Sequence, residues 1–339
     1  MKIAIHQSKS GFSERWIEYC QNHSVPYKLV NCYDNNIIEQ LNDCDALMWH
    51  HHHTDYRDAL VAKSILFSVK ESGKHVFPDY YTNWHFDDKI AQKYLLEAIG
   101  APLVPSYVFY EKKTALKWVN KTTFPKVFKL KGGSGSRNVM LVKNKYKAKK
   151  LVKQAFSSGF SQSRKFGQLK ERIRKFRNGQ GSMMSVVKGF GRLFIPTQFS
   201  SMHGKEKGYI YFQEFIPNNT FDTRVIVIGK KAFAIKRGVR ENDFRASGSG
   251  FIGYKQEDIN QDCLSVSFEI AKKLNTQCLA FDYVIHDNIP MIVEVSFGFR
   301  SEGYLLCPGY WDESLEWHEG SVTPEYWMIE DLLFKNEVQ

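Results

Sequence analysis

The sequence predicts an α/β (α+β) protein in which a small parallel sheet precedes a larger region of antiparallel strands. Three observations lead there. In the first eighty residues strand-like apolar runs alternate with helical patterns, and βαβα order builds a parallel sheet with helices on its faces. Residues 128–143, FKLKGGSGSRNVMLVK, set a glycine- and serine-rich loop between two short apolar runs, which reads as a hairpin. From Tyr209 onward strand patterns follow one another, and the last two each carry a carboxylate inside an apolar run.

A chain of 339 residues is long enough for two or three domains with a sizeable core. With 43% hydrophobic and 24% charged residues it is not a disordered composition. The longest apolar runs fall far short of the ~20 residues that a membrane helix needs. The opening Met1-Lys2-Ile3-Ala4-Ile5-His6 lacks the apolar core of a signal peptide and reads as a first strand. Six scattered cysteines, at 20, 32, 44, 263, 278 and 307, form no CxxC pair. That predicts reduced thiols in the cytoplasm, not a disulfide framework or a zinc site. The formal charge of +11 asks for an anionic partner.

In chain order, strands are expected at Lys2–His6, Tyr27–Cys32, Ala46–Trp49 and His75–Phe77. A helix over Tyr56–Glu71 is expected to bury Leu60, Ile65 and Val69. Asp87-Asp88 start a second helix, with Ile90, Tyr94, Leu95 and Ala98 as its apolar positions, and Gly100 ends it. A strand Ser106–Tyr110, a helix Thr114–Asn120 and the glycine-loop hairpin follow. Residues 143–192 hold 15 Lys or Arg against one acid, Glu171. Within them Phe166, Leu169, Ile173 and Phe176 mark one face of a helix over 164–179, stopped by Asn178-Gly179-Gln180-Gly181. Beyond lie strands at Tyr209–Phe215, Arg224–Ile228 and Ala232–Lys236, a helix at Leu264–Leu274, and strands at Leu279–His286 and Met291–Val295.

The glycine loop is neither of two familiar phosphate motifs. A Walker A loop ends in Gly-Lys-Ser/Thr, whereas Gly135 precedes Ser136-Arg137. A dinucleotide fingerprint runs directly into a helix, whereas Val139-Met140-Leu141-Val142 is a strand. On its own the hairpin is either a plain turn or a flap whose backbone N–H groups close on phosphate, with Lys129 on the preceding strand as a fixed cation. Asp282 and Glu294 favour the flap. A carboxylate on a buried strand costs several kcal/mol unless paired or metal-bound. Two on adjacent hairpin strands can reach one cation, and magnesium suits one or two carboxylates together with nucleotide phosphate oxygens. Arg224, Lys236, Arg237, Arg240, Arg245 and Arg300 gather cationic charge around these sites, where a migrating phosphoryl group and a developing oxyanion would need it.

The order of features resembles the ATP-grasp superfamily, in the branch with ribosomal-protein glutamate ligase and related amino-acid ligases. The resemblance runs from about Asp87 to Gly303 through DDKIAQKYLLEAIGAPLVPSYVFY, FPKVFKLKGGSGSRNVMLV, YFQEFIPNNTFDTRVIVIG, AFAIKRGVRENDFRASGSG, AFDYV and MIVEVSFGF. It implies an ATP-grasp fold with a parallel α/β domain over 1–84, the start of a central domain over 85–120, a lid over 121–212 with the basic insert, and a C-terminal mixed-sheet domain over 213–339. It implies ATP and Mg2+, or Mn2+, as cofactors. Lys89 and Lys129 resemble the two phosphate lysines. Gly133, Ser134, Gly135, Ser136 and Arg137 resemble the flap, and Arg137 is expected to meet a phosphate on closure. Gln213, Glu214, Phe215 and Ile216 resemble the adenine hinge, with Asp222 toward the ribose, and Lys236 joins the nucleotide set. Arg224, Arg245 and Arg300 resemble the catalytic cations, and Asp282, Glu294 and Ser296 the metal ligands. Ser296 departs from the family, which usually has Asn there.

The implied reaction is ATP-dependent ligation of a carboxylate to an amine through an acylphosphate. An ATP-grasp kinase acting on a hydroxyl and a nucleotide-binding regulator without turnover are the alternatives. One substrate could be an acidic glycan or polypeptide docking on the basic 143–192 segment. No base-reading module is evident, so nucleic acid is not the expected partner. In MWHHHHTDY, consecutive histidines point to alternate faces, so at most two could share a ligand. Substrate contact, a solvated loop and a metal site are the readings of that run.

Overall fold

The computed structural model describes the chain except residues 9–10, 53–54, 134–137, 162–172, 174–175, 177–181, 195–203, 241–242, 247, 249 and 338–339, with side chains undescribed at 189–194 and 335–337. Two compact units emerge. The first comprises Met1–Phe86, Ala91–Val104 and Ile216–Gln339; the second comprises Asp87–Ile90 and Pro105–Phe215.

The first unit begins with the expected parallel sheet: β1 (Ile3–His6), β2 (Tyr27–Val30), β3 (Ala46–Met48) and β4 (His75–Phe77), in the order β2-β1-β3-β4. The helix over Tyr56–Glu71 has the expected bounds, and the Asp55 side chain caps it by accepting from the Arg57 N–H. Its buried face is partly the expected one. Val69 is buried and Ile65 packs partly on the core, but Asp58, Ala62 and Leu66 complete the inward face and Leu60 is 72% exposed. Leu60 and Ile65 are five residues apart, about 140° around a helix, so they cannot share a stripe; the buried set keeps spacings of three and four. In the helix Lys89–Ala98 the expected Ile90 and Leu95 are half-buried, whereas Tyr94 is 46% exposed, Ala98 lies outward, and Gln92, Lys93 and Leu96 are buried instead.

In the second unit, β5 (Ser106–Phe109), β6 (Lys126–Lys129) and β7 (Val139–Val142) precede a short pair, β8 (Phe160–Ser161) and β9 (Lys205–Glu206), and then β10 (Ile210–Glu214). The main sheet runs β5-β10-β6-β7 with every pairing antiparallel. Helices Lys112–Lys121 and Lys145–Ala155 cover it. Ala115, Val119, Ala148, Leu151 and Val152 pack on Phe128, Val142 and Phe212. The lysines of the second helix face outward while its apolar stripe is buried, so this part of the basic insert is a packed amphipathic helix. The helix expected over 164–179, with its Gly-rich stop, lies almost wholly outside the described residues. A helix at Met183–Phe194 was not expected.

The rest of the first unit is built on β11 (Phe221–Ile228), β12 (Lys231–Gly238), β13 (Ile252–Gly253), β14 (Cys278–His286), β15 (Ile289–Ser296), β16 (Gly309–Asp312) and β17 (Trp317–Glu319). They form a sheet in the order β15-β14-β11-β12-β16-β17, with β13 on β12. One face, including Val225, Val227, Phe281 and Tyr283, packs on the helix Gln261–Lys273 through Leu264 and Ile270. The other face puts Ile226, Ile228, Phe233, Ile235 and Ala280 against Ile5, Phe12, Trp16 and Met48 of the parallel layer. The helix Pro324–Glu337 closes this core with Met328, Ile329 and Leu332. The tail helix and strands β16 and β17 were not legible in the sequence.

Candidate active site

In the second unit, both faces of β6 are covered, so Lys126 on one face and Lys129 on the other are both buried, and Lys129 is only 4% exposed. A buried ammonium is tolerated where oxygen atoms surround it. Lys126 has such a partner: its Nζ donates to Glu214 at 2.8 Å across the β6–β10 pairing. Lys89 Nζ donates to the Gly133 carbonyl at 2.9 Å, and the Gly133 N–H donates to Asp87 at 2.7 Å. The Lys89 N–H donates to the Lys131 carbonyl, and Lys131 Nζ sits 3.3 Å from Asp88. Thus the start of the helix that carries Lys89 is tied to the loop that leaves β6, and Lys89, Lys129 and Gly133 share one unit. Ser134, Gly135, Ser136 and Arg137 lie outside the described residues.

The hinge residues end β10. Gln213 is buried, with its side-chain amide donating to Ser106 Oγ at 3.1 Å, and the Glu214 N–H donates to the Pro105 carbonyl. Phe215 and Ile216 are half-buried, and the division between the units falls between them.

In the first unit, strand register assembles the charged row. Arg224 on β11 lies opposite Asp282 on β14, which lies opposite Glu294 on β15. Residues directly opposite one another share a face, as do residues two apart on one strand. Asp222, which pairs with Arg237 on β12, therefore joins the same face. This face is apolar at one end, where Ile226 and Ile235 enter the core, and charged at the other. A bulge after Asp282 pairs Tyr283 with Ile292 and re-aims the strand beside the carboxylates.

Arg224 grips Asp282 with both Nε and Nη2, the latter at 2.7 Å. Arg237 grips Asp222 in the same bidentate manner and reaches Asp282 at 3.0 Å. Burial works to raise the Asp282 pKa, but the guanidinia of Arg224 and Arg237 outweigh it and hold the carboxyl well below the usual range. Arg237 was among the cations noted in the sequence but not among the assigned site residues. Nothing local marks it, because its role depends on the β11–β12 register.

The remaining assigned residues are more dispersed. Lys236 pairs with Thr223, on the opposite face of the sheet from Asp282, and its Nζ stands 3.9 Å over the Phe221 ring. Arg245 binds its neighbour Asp243, and Arg300 is exposed at the entry to a short turn. Ser296 Oγ donates to the Gly298 carbonyl at 2.9 Å and accepts from the Gly298 N–H at 3.2 Å, which closes the turn after β15.

The histidine run is not a solvated loop at its first two members, His50 and His51, which are both buried. The cause is aromatic packing. His50 stacks on Phe12 at 3.7 Å and accepts from the Phe12 N–H, while His51 packs against Phe86 and Phe297. A Cβ on Gly298 would come 3.2 Å from His50 Nε2, so these rings line the Ser296–Gly298 turn. His53 lies outside the described residues.

Neither a family model nor a curated protein matches the chain. Solved structures do. The RimK domain ATP-grasp protein from Sphaerobacter thermophilus matches with a TM-score of 0.56 at 16% identity, covering 98% of this chain and 100% of that one. D-alanine–D-alanine ligase from Bacillus anthracis matches at 0.56 and 12% identity, over 100% and 97% of the two chains. D-cycloserine synthetase DcsG gives 0.60 and 12% identity over 99% of each. The chain has the ATP-grasp fold.

The row through Asp282 and Glu294 offers the kind of donors that a divalent cation takes. The donors are hard carboxylate oxygens on adjacent strands, partly buried and on one face. No helix among the described residues is long and apolar enough to cross a membrane.

Proposed function

We propose that the protein is an ATP-dependent ligase that joins a carboxylate to an amine through an acylphosphate. The observation that carries this reading is the placement of Asp282 directly opposite Glu294 on an ATP-grasp fold, with Arg224 and Arg237 on the same face. The neighbours named as ligases and synthetases add support.

In the proposed reaction Lys89, Lys129 and the Gly133 loop hold the nucleotide phosphates, with Arg137 contributing at the loop tip. The backbone of Gln213–Ile216 holds adenine, and Asp222 lies toward the ribose. Asp282 and Glu294 would hold a Mg2+ or Mn2+ ion, whose positive charge would offset that of the nucleotide phosphates. The substrate carboxylate attacks the γ-phosphorus of ATP, and ADP leaves. The amine then attacks the acyl carbon, and phosphate departs from the tetrahedral intermediate. Arg224, Arg245 and Arg300 supply positive charge to these steps. Positioning and charge complementarity therefore do most of the catalysis. An acidic glycan or peptide as one substrate would suit the +11 charge and the basic 143–192 segment.

The test is ADP release with ATP and Mg2+ across panels of carboxylates and amines. Ligation requires ADP release that depends on both and consumes the amine. Release that depends on an alcohol alone assigns a kinase, and tight ATP binding without release on any panel assigns a regulator.

A further inference from the structure

Asp282 is in place for a metal, yet both of its carboxylate oxygens already accept from guanidinium groups. The two arginines are not held alike. Arg237 has two anchors: a bidentate pair with Asp222 and a contact to Asp282. Asp282 is the one carboxylate that Arg224 reaches among the described residues, and its further contact is the Tyr304 hydroxyl at 3.5 Å. With Glu294 on the same face, Asp222, Asp282, Arg224 and Arg237 belong to a group of three negative and two positive charges. A divalent cation on Asp282 would lie against two guanidinia of its own sign, at oxygens that they already hold, so the guanidinium with fewer anchors is the one to give way.

We infer that Arg224 is the resting counter-ion of the metal seat: its guanidinium occupies Asp282 until a divalent cation arrives, then withdraws. Arg237 stays, because Asp222 holds it, and keeps the Asp282 carboxylate aimed. The exchange makes divalent metal a weak ligand by itself. Nucleotide phosphates, which take up the released positive charge, make it a strong one. Metal and nucleotide then bind as a unit, and the freed Arg224 becomes available to phosphate oxygens. This inference rests on the assignment of Asp282 as a metal ligand.

The experiment is Mn2+ binding to the full chain, followed by the electron paramagnetic resonance of the free ion, without nucleotide and with ADP. Arg224→Met removes the competing cation and should bind Mn2+ alone about tenfold more tightly than wild type. Arg224→Lys restores a counter-charge and should stay near wild type. If Arg224→Met does not fold, Arg224→Gln carries the same expectation, since it keeps a hydrogen-bond donor without the charge. Arg224 variants that bind Mn2+ no tighter than wild type, while Asp282→Asn still weakens binding, overturn the exchange alone. If Asp282→Asn leaves Mn2+ binding unchanged, the metal assignment itself falls, and the exchange with it.

Discussion

Lys89 donates its Nζ proton to the carbonyl of Gly133 at 2.9 Å, and so pins the glycine-rich loop to the helix that starts beside it. Gly133 has φ +107, and a Cβ there would lie 2.6 Å from Asn138 Nδ2. Only glycine holds that backbone without strain. Gly133→Ala and Lys89→Met should each lower ADP release at fixed ATP by tenfold or more. The melt of Lys89→Met should stay close to wild type, whereas Gly133→Ala should melt a few degrees lower because of the backbone strain; a collapsed melt for Lys89→Met would instead make the contact structural.

The pair Lys126–Glu214 joins β6 to β10 at 2.8 Å, with Lys126 2% exposed. Removing one partner of a buried pair leaves an uncompensated charge, at about 3 kcal/mol. Glu214→Ala should therefore lower the urea midpoint markedly, whereas the double replacement of Lys126 and Glu214 by Met and Leu should recover most of it. Equal losses in single and double variants would argue against the pair.

His6 carries a pH dependence. Burial first, then the nearby charge of Arg57, lowers its pKa to about 4, and its Nδ1 accepts from the Cys32 N–H at 3.0 Å. The folded value lies below the unfolded one of about 6.5. Stability is thus complete above pH 6.5 and declines as the pH falls toward 4, because only the unfolded chain takes up the proton. The slope approaches 1.4 kcal/mol per pH unit, about 3 kcal/mol in all. Urea unfolding at pH 7, 6 and 5 should show this decline, and His6→Gln should flatten it.

Gly309 on β16 offers a test of the tail that the sequence did not reveal. A Cβ there would lie 2.2 Å from the His318 carbonyl and 2.7 Å from the Trp317 ring. Gly309→Ala must separate β16 from β17, at about 3 kcal/mol. A melt within a degree of wild type would contradict that packing.

Several candidate site residues were legible because they break a local pattern. Lys129, Asp282 and Glu294 are charges inside apolar strand runs, a costly arrangement that needs a reason. The glycine loop stands out by composition between two strands. Arg237 and Asp87 were not legible. The first acts through partners 15 and 45 residues away, the second through a loop 46 residues on. Leu60, Tyr94 and Ala98 were misplaced on their helices because apolar residues also occur on the exposed side, and only the layer above a helix selects its stripe.

The sequence by itself determined the α/β class, the order of most strands and helices, and the charged residues that strands would have to accommodate. Periodicity and the cost of burying charge are local, so they can be read from a single chain. Tertiary structure decided the partners. Strand register put Arg224 against Asp282, set Glu294 opposite Asp282 on the far side, and sent Lys236 to the other face, while aromatic packing turned His50 and His51 inward. A one-residue slip in any of those pairings would carry a side chain to the opposite face, and no local pattern fixes that choice.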